Sequence, residues 1–215
     1  MKIGILGSGT VAQTLAAGLL KHGHAVMTGT RDSEKLASWS REHPGMLLGS
    51  FSDAAAFGQV VILAVKGSAS ADALKLAGAK NLANKLVMDA TNPIADAPPK
   101  DGVLSFFTTF DDSLMEQLQR EFPEAHLVKA FNSVGSYNFI DPVFPQGKPT
   151  MFICGNDEAA KRTASELLSE VGWESADMGT ATAARAIEPL CILWCIPVFL
   201  HNEWTHAFKL LRRSA

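Results

Sequence analysis

Gly7, Gly9 and Ala12 stand at G-x-G-x-x-A spacing directly after the apolar run Lys2-Ile3-Gly4-Ile5-Leu6. They also head a segment in which Val11, Leu15, Leu19 and Leu20 recur at helical spacing up to His22-Gly23. Strand, glycine turn and helix in that order is the context in which such a pattern binds a dinucleotide. Gly7 lets the chain turn sharply. Gly9 carries no side chain, so a pyrophosphate can reach the backbone, and Ala12 lets the helix pack close to the strand. The free N–H groups of Ser8, Gly9, Thr10 and Val11, with the helix dipole, then face the phosphates.

The end of the next strand chooses between cofactors. Residues 25–29 (AVMTG) read as that strand, and an NAD-binding chain places Asp or Glu at its end to accept from the ribose hydroxyls. Here the strand runs into Thr30-Arg31-Asp32-Ser33-Glu34-Lys35. Thr30 offers a hydroxyl, Arg31 a forked donor and Lys35 a second cation, a set suited to a 2′-phosphate dianion. Asp32 is expected to cap a helix that begins near Ser33. The expected cofactor is therefore NADP(H).

These residues need a scaffold, and the remaining sequence supplies one in βαβ rhythm. Residues 59–65 (QVVILAV) form a continuous apolar run, as in a parallel strand buried on both faces. Ser52-Asp53-Ala54-Ala55 reads as a short capped helix before it. Residues 86–90, 126–130, 150–154 and 173–178 read as further strands. Helices are expected over residues 114–122 and 158–171, and mostly helical structure over residues 182–213. The fold class expected is α/β, a Rossmann-type doubly wound parallel sheet. Residues 1–180 would form the nucleotide domain, and residues 181–215 a small helical segment for dimerisation or pocket closure.

In an open doubly wound sheet, ligands bind at the carboxyl ends of the strands. Ala64-Val65-Lys66, Asn92-Pro93 and Asn132 follow strands at that edge and are expected to join Gly7 to Ala12 around one crevice. Asn92 and Asn132 each donate and accept through one amide, which suits a ribose or a nicotinamide carboxamide. Phe131, Asn132, Met178 and Gly179 are the candidates for a second pocket beside the nicotinamide. Glu188, Trp194 and His201 are candidates to close it.

Composition narrows the class. The chain has 215 residues, is 47% hydrophobic and carries a formal charge of −3. That charge gives no reason to expect nucleic acid or an acidic membrane as partner. The first strand begins at once, leaving no room for a leader peptide, and the longest apolar stretch, Pro189 to Leu200, is short for a bilayer and contains Pro197. A cytoplasmic enzyme without a membrane partner is expected. Three cysteines do not make a disulfide framework. His201 and His206 are five apart, off the spacing of a helical metal pair, so no metal is expected. No Ser-His-Asp set or carboxylate pair stands out, and hydride transfer needs none, because it works by positioning two rings.

The chain resembles the coenzyme F-420-dependent NADP oxidoreductase family, which in turn is similar to the cytosolic domain of six-transmembrane metalloreductases. The matching segments are Ile5-Leu6-Gly7-Ser8-Gly9, Gly29-Thr30-Arg31, Asp89-Ala90-Thr91-Asn92-Pro93, Val128-Lys129-Ala130-Phe131-Asn132, Cys154-Gly155-Asn156-Asp157 and Asp177-Met178-Gly179 with Ala183-Ala184-Arg185. The resemblance implies hydride exchange between NADP(H) and a deazaflavin (coenzyme F-420) or a flavin, with a small-molecule electron acceptor as partner. Separately from the resemblance, a homodimer through the C-terminal helices is expected. Two other functions begin with the same clamp. One is a small β-hydroxyacid or imine dehydrogenase, and the other a non-catalytic NADP(H) sensor.

Overall fold

The computed structural model describes residues 1–32 and 34–213, with no side-chain placement for Lys35. The elements run β1 (Lys2–Leu6), α1 (Thr10–Lys21), β2 (Ala25–Gly29), α2 (Glu34–Glu42), β3 (Leu47–Gly49), α3 (Phe51–Phe57) and β4 (Val60–Leu63). They continue with α4 (Ser70–Ala77), α5 (Ala79–Leu82), β5 (Leu86–Asp89), α6 (Leu114–Glu121), β6 (His126–Lys129), β7 (Thr150–Gly155), α7 (Glu158–Glu170), β8 (Glu174–Asp177), α8 (Ala184–Ile187) and α9 (Leu190–His201). The strands form one eight-stranded sheet in the order β3-β2-β1-β4-β5-β6-β7-β8. The first six strands carry the order 3-2-1-4-5-6 of a dinucleotide-binding sheet, all parallel.

The apolar runs predicted as central strands are central, and β1, β4 and β5 are buried almost throughout because helices cover both faces. One core lies under α1 and α7 and includes Ile3, Leu15, Ile62 and Val128. The other lies under α3, α4 and α6 and includes Leu63, Leu74, Val87 and Leu118. Ala181, Ala184 and Ile187 join this second cluster, so the segment after residue 180 packs on the same sheet. Helix starts are fixed by local chemistry. Ser50 and Asp53 form a capping box on α3, and Ser113 and Glu116 form one on α6. The cap of α3 is therefore Ser50, two residues before the predicted start.

Three features depart from the sequence expectation. First, the sheet is not wholly parallel. β7 runs antiparallel to β6, with Val128 opposite Gly155 and Lys129 opposite Cys154, and β8 follows β7 in parallel. Second, β3 is a three-residue strand between the turn at Gly45 and the Ser50 cap of α3, too short to leave a period. Third, residues 202–213 are not helical. α9 stops at Asn202, in the left-handed region at φ 55°, and the chain then folds back on the start of β7. Thr150 N–H donates to Phe208 O at 2.9 Å, and Leu210 N–H donates to Thr150 Oγ1 at 3.0 Å.

Candidate functional site

The carboxyl ends of β1, β2 and β4 open onto a cleft of about 490 Å³. Its wall includes Gly7, Ser8, Gly9, Thr10, Val11, Thr30, Arg31, Ala64, Val65 and Lys66, all named from the sequence, together with Asp32, Asp72 and Leu76. Gly7 sits at φ +144°, and a Cβ there would lie 2.2 Å from Ala64 O, so only glycine lets β1 turn this close to β4. Ala12 lies behind that turn, fully buried, and packs rather than lines. Gly9 is the opposite case. A Cβ on it would meet nothing within 4 Å, so its bareness serves the cleft and not the packing.

The start of α1 is left open by the chain itself. Gln13 N–H makes the first intrahelical bond, to Gly9 O at 3.0 Å, so the N–H groups of Thr10, Val11 and Ala12 have no partner within the helix. Gly9 offers no side-chain cap, and no carboxylate stands in the first turn. By contrast α3, α6 and α7 are capped by Ser50, Ser113 and Asp157. A cleft floored by unpaired N–H groups at a positive dipole end selects an anion.

At the end of β2, Thr30 is buried and its hydroxyl is engaged within its own turn. It donates to Asp32 O at 3.0 Å and accepts from Asp32 N–H at 3.1 Å. The Asp32 carboxylate accepts from Glu34 N–H at 3.1 Å, at the start of α2, in keeping with a capping role. Arg31 is exposed at the cleft wall, and among the described residues its side chain makes no hydrogen bond or ion pair. The side chain of Lys35, the second predicted cation, lies outside what is described.

Farther along the same edge, the loop after β5 and the loop after β6 are tied together. Asn92 Nδ2 donates to Asn132 O at 2.7 Å, and Asn132 Nδ2 donates to Asn92 Oδ1 at 3.2 Å and to Ile187 O at 3.0 Å. Asn92 is half-buried, Pro93 is buried and Asn132 is 3% exposed, with its Oδ1 unpartnered. Neither asparagine lines the 490 Å³ cleft, but the Asn92 backbone packs on Gly67, next to Lys66 on its rim. Phe131 precedes Asn132 in the left-handed region at φ 61°. Its ring is buried against Phe139 at 5.2 Å, and its N–H points to Met151 Sδ.

Met178 and Gly179 are not at this edge. Because β7 and β8 run against β6, their carboxyl ends lie beside the start of β6. Gly155 N–H donates to Gly179 O at 3.0 Å, and His126 Nδ1 lies 3.9 Å from Asp157 Oδ2. The expectation that Met178 and Gly179 shape the second-ring pocket is corrected by strand direction. Glu188 is likewise not a lid residue. It is 1% exposed, accepts from Leu114 and Met115 N–H at 3.0 Å each, and meets Lys129 Nζ at 3.0 Å. Trp194 is buried and stacks on His206, while His201 is exposed.

Sequence reasoning missed two groups. One is the buried set Asp89, Lys129 and Glu188. The other is an aromatic surface after β6. Tyr137 is 77% exposed and lies edge-on to Trp204 at 6.4 Å, and Trp204 lies 6.4 Å from Trp194. Tyr137 also borders a shallow groove of about 420 Å³ over α1 that meets the nucleotide cleft at Thr10. The chain's single tyrosine was the available signal.

Comparison with known proteins supplies the context. Residues 2–93 match the model of the family described as NADP oxidoreductase coenzyme F420-dependent. A crystal structure from Arthrobacter sp. FB24, provisionally named an F420-dependent NADP-reductase, is 38% identical, with a TM-score of 0.92 over 99% of this chain and 100% of that one. The F420-dependent NADP reductase of Methanocaldococcus jannaschii is 28% identical over 202 residues, 88% of this chain and 89% of that protein. The metalloreductase STEAP3 of Rattus norvegicus is 30% identical over 204 residues, covering 93% of this chain but only 39% of the metalloreductase. The chain thus spans about two fifths of the length of that relative.

Proposed function

We infer a function from one premise, that this chain belongs to the coenzyme F420-dependent NADP oxidoreductase family. The reading is an NADP(H)-dependent oxidoreductase that exchanges a hydride with a deazaflavin or a flavin. Its main support is the open helix start behind Gly9, beside a β2 end that carries Arg31 in place of an acid. The cradle fits the cofactor, because the space a Cβ would fill at Gly9 is the space a pyrophosphate needs. The N–H groups of Thr10 and Val11 would hold the pyrophosphate, Arg31 would pair with the 2′-phosphate, and Lys66 would screen charge at the rim. The Asn92–Asn132 pair would orient the carboxamide. When bound, NADPH supplies the hydride, and the chain contributes orientation and exclusion of water.

A planar acceptor is favoured by the exposed rings of Tyr137 and Trp204 close to the carboxyl end of β6, where a conjugated ring finds stacking surface. A homodimer through α9 is favoured by its bare apolar face, on which Leu193, Phe199 and Leu200 are each about half exposed. By length and composition alone, residues Ala181–His201 could cross a membrane. In this fold the segment turns Ala184, Ile187, Cys191, Trp194 and Val198 inward, which favours packing on the sheet over crossing a membrane.

The test is stopped-flow oxidation of NADPH with a deazaflavin, a free flavin, a ferric chelate and a small keto acid offered in turn. The reading expects fast oxidation with a planar ring. Tight NADPH binding without oxidation by either ring overturns it.

A further inference from the structure

We propose that Lys129, clamped between Asp89 and Glu188, is a positioning residue that fixes the Asn92–Asn132 pair at the nicotinamide end of the cofactor site. The inference rests on the cofactor reading above and extends it to residues that touch no cofactor. Lys129 Nζ is fully buried and all three of its donor directions are filled. It meets Asp89 Oδ2 at 2.6 Å, Thr91 O at 2.9 Å and Glu188 Oε1 at 3.0 Å. Asp89 and Thr91 lie two residues apart at the end of β5 and in the loop that continues to Asn92, Glu188 lies in the turn between α8 and α9, and Lys129 itself ends β6. One ammonium therefore sets the distance among three segments.

The carboxylates extend the grip. Asp89 Oδ1 accepts from both the N–H and the hydroxyl of Thr91, at 2.9 Å and 2.7 Å. Glu188 accepts from the first two N–H groups of α6, so the net negative charge of the set lies against a positive helix end. The asparagine pair is joined to this network at both ends. Asn92 follows Thr91 directly. Asn132 donates to Ile187 O, the carbonyl just before Glu188.

Energetics argue that such a network is not kept for stability. Removing ions from water costs several kcal/mol each, and well-packed apolar residues of the same volume often serve as well or better. What a saturated ionic network provides is one defined geometry. An asparagine pair that holds a nicotinamide ring in place through its carboxamide needs that geometry, since a misplacement of about 1 Å costs roughly 100-fold in rate.

The test compares two ligands that bind without an acceptor. Adenosine 2′,5′-bisphosphate fills only the adenosine half, whereas NADP⁺ fills both halves. In Glu188→Gln one amide N–H₂ must face a donor, either Lys129 or the α6 N–H groups. Thr91→Val is the milder variant, which removes only the hydroxyl on Asp89. The expected result for Glu188→Gln is NADP⁺ bound about tenfold more weakly, with adenosine 2′,5′-bisphosphate within twofold of wild type. Thr91→Val should show the same signature at about threefold. Single-turnover hydride transfer from NADPH should fall more than NADPH affinity does. If Glu188→Gln fails to fold, Thr91→Val alone decides.

Equal weakening of both ligands, or a lowered melting temperature with NADP⁺ affinity and transfer unchanged, shows a structural role only and overturns the proposal. A wild-type protein that binds neither ligand removes the cofactor reading and the proposal together. Wild-type protein that binds both but oxidises NADPH with no acceptor removes only the acceptor reading.

Discussion

Replacing Gly9 by alanine separates folding from binding. Gly9 sits at φ −81° and ψ 178°, a conformation any residue adopts, and a Cβ there meets nothing within 4 Å. It is the N-cap of α1, where alanine is poorer than glycine by roughly 0.5–1 kcal/mol. The lost backbone freedom of the unfolded chain returns about 0.4–1 kcal/mol. The two nearly cancel, so the melting temperature should move by less than about 3 °C. Binding should not be spared. The new methyl occupies the approach to the N–H groups of the helix start, and each hydrogen bond lost to a charged oxygen is worth about 1.5–3 kcal/mol. One such bond is about 10- to 100-fold in affinity for NADPH. Fluorescence titration with NADPH, paired with thermal melting of the same preparation, reads both quantities. An affinity within threefold of wild type would refute the placement of the pyrophosphate. A fall of more than about 5 °C would refute the claim that Gly9 is bare for the ligand's sake.

Other expectations follow from the same structure. Gly7→Ala should destabilise the fold by at least about 2 kcal/mol, because its Cβ would stand 2.2 Å from Ala64 O at φ +144°. Urea unfolding would measure it. Stability should also fall in acid in two stages. Burial lowers the pKa of His24 below its ordinary 6.5, so the unfolded chain binds that proton first and stability drops as pH falls through 6.5. A second loss begins below about pH 4.5, where the Arg120 hydrogen bond holds Asp112 low, and where the Arg185 and Ser113 bonds to Glu116 outweigh its burial. Urea midpoints from pH 8 to 3 would show both. Burial pushes the Cys154 thiol up to about 12, so it should resist iodoacetamide in the native protein, and peptide mapping after unfolding should find it newly labelled.

What the sequence made legible was local. β1, α1 and β2 fall where the glycine spacing and the apolar period put them, because turn chemistry and helix period are both written within a few residues. Strand direction is not written that way. The run TMFIC reads identically as a parallel or an antiparallel strand, so the sequence pattern alone puts Met178 and Gly179 at the wrong edge. β3 was missed because a three-residue edge strand carries no period. Lys129 and Glu188 were invisible as a pair because a charged residue reads as surface until its partner is known. They lie 59 residues apart in the chain, and both are needed before either can be buried. The turn at Thr30 shows a finer limit. The sequence identified the hydroxyl but not that its own backbone would claim it.

Arg31 stands at the β2 end where the adenosine ribose would lie, and the carboxylate of the neighbouring Asp32 accepts from Glu34 N–H at the start of α2. Calorimetry of NADPH and NADH against wild type and Arg31→Ala tests the pairing of Arg31 with a 2′-phosphate directly. Arg31 has no other side-chain partner among the described residues, so its loss should leave the fold intact. A charge-assisted pair with phosphate is worth about 1.5–3 kcal/mol, so NADPH should weaken by at least tenfold while NADH stays unchanged. NADH bound as tightly as NADPH by the wild type, or NADPH indifferent to the loss of Arg31, would rule out a 2′-phosphate site at the β2 end.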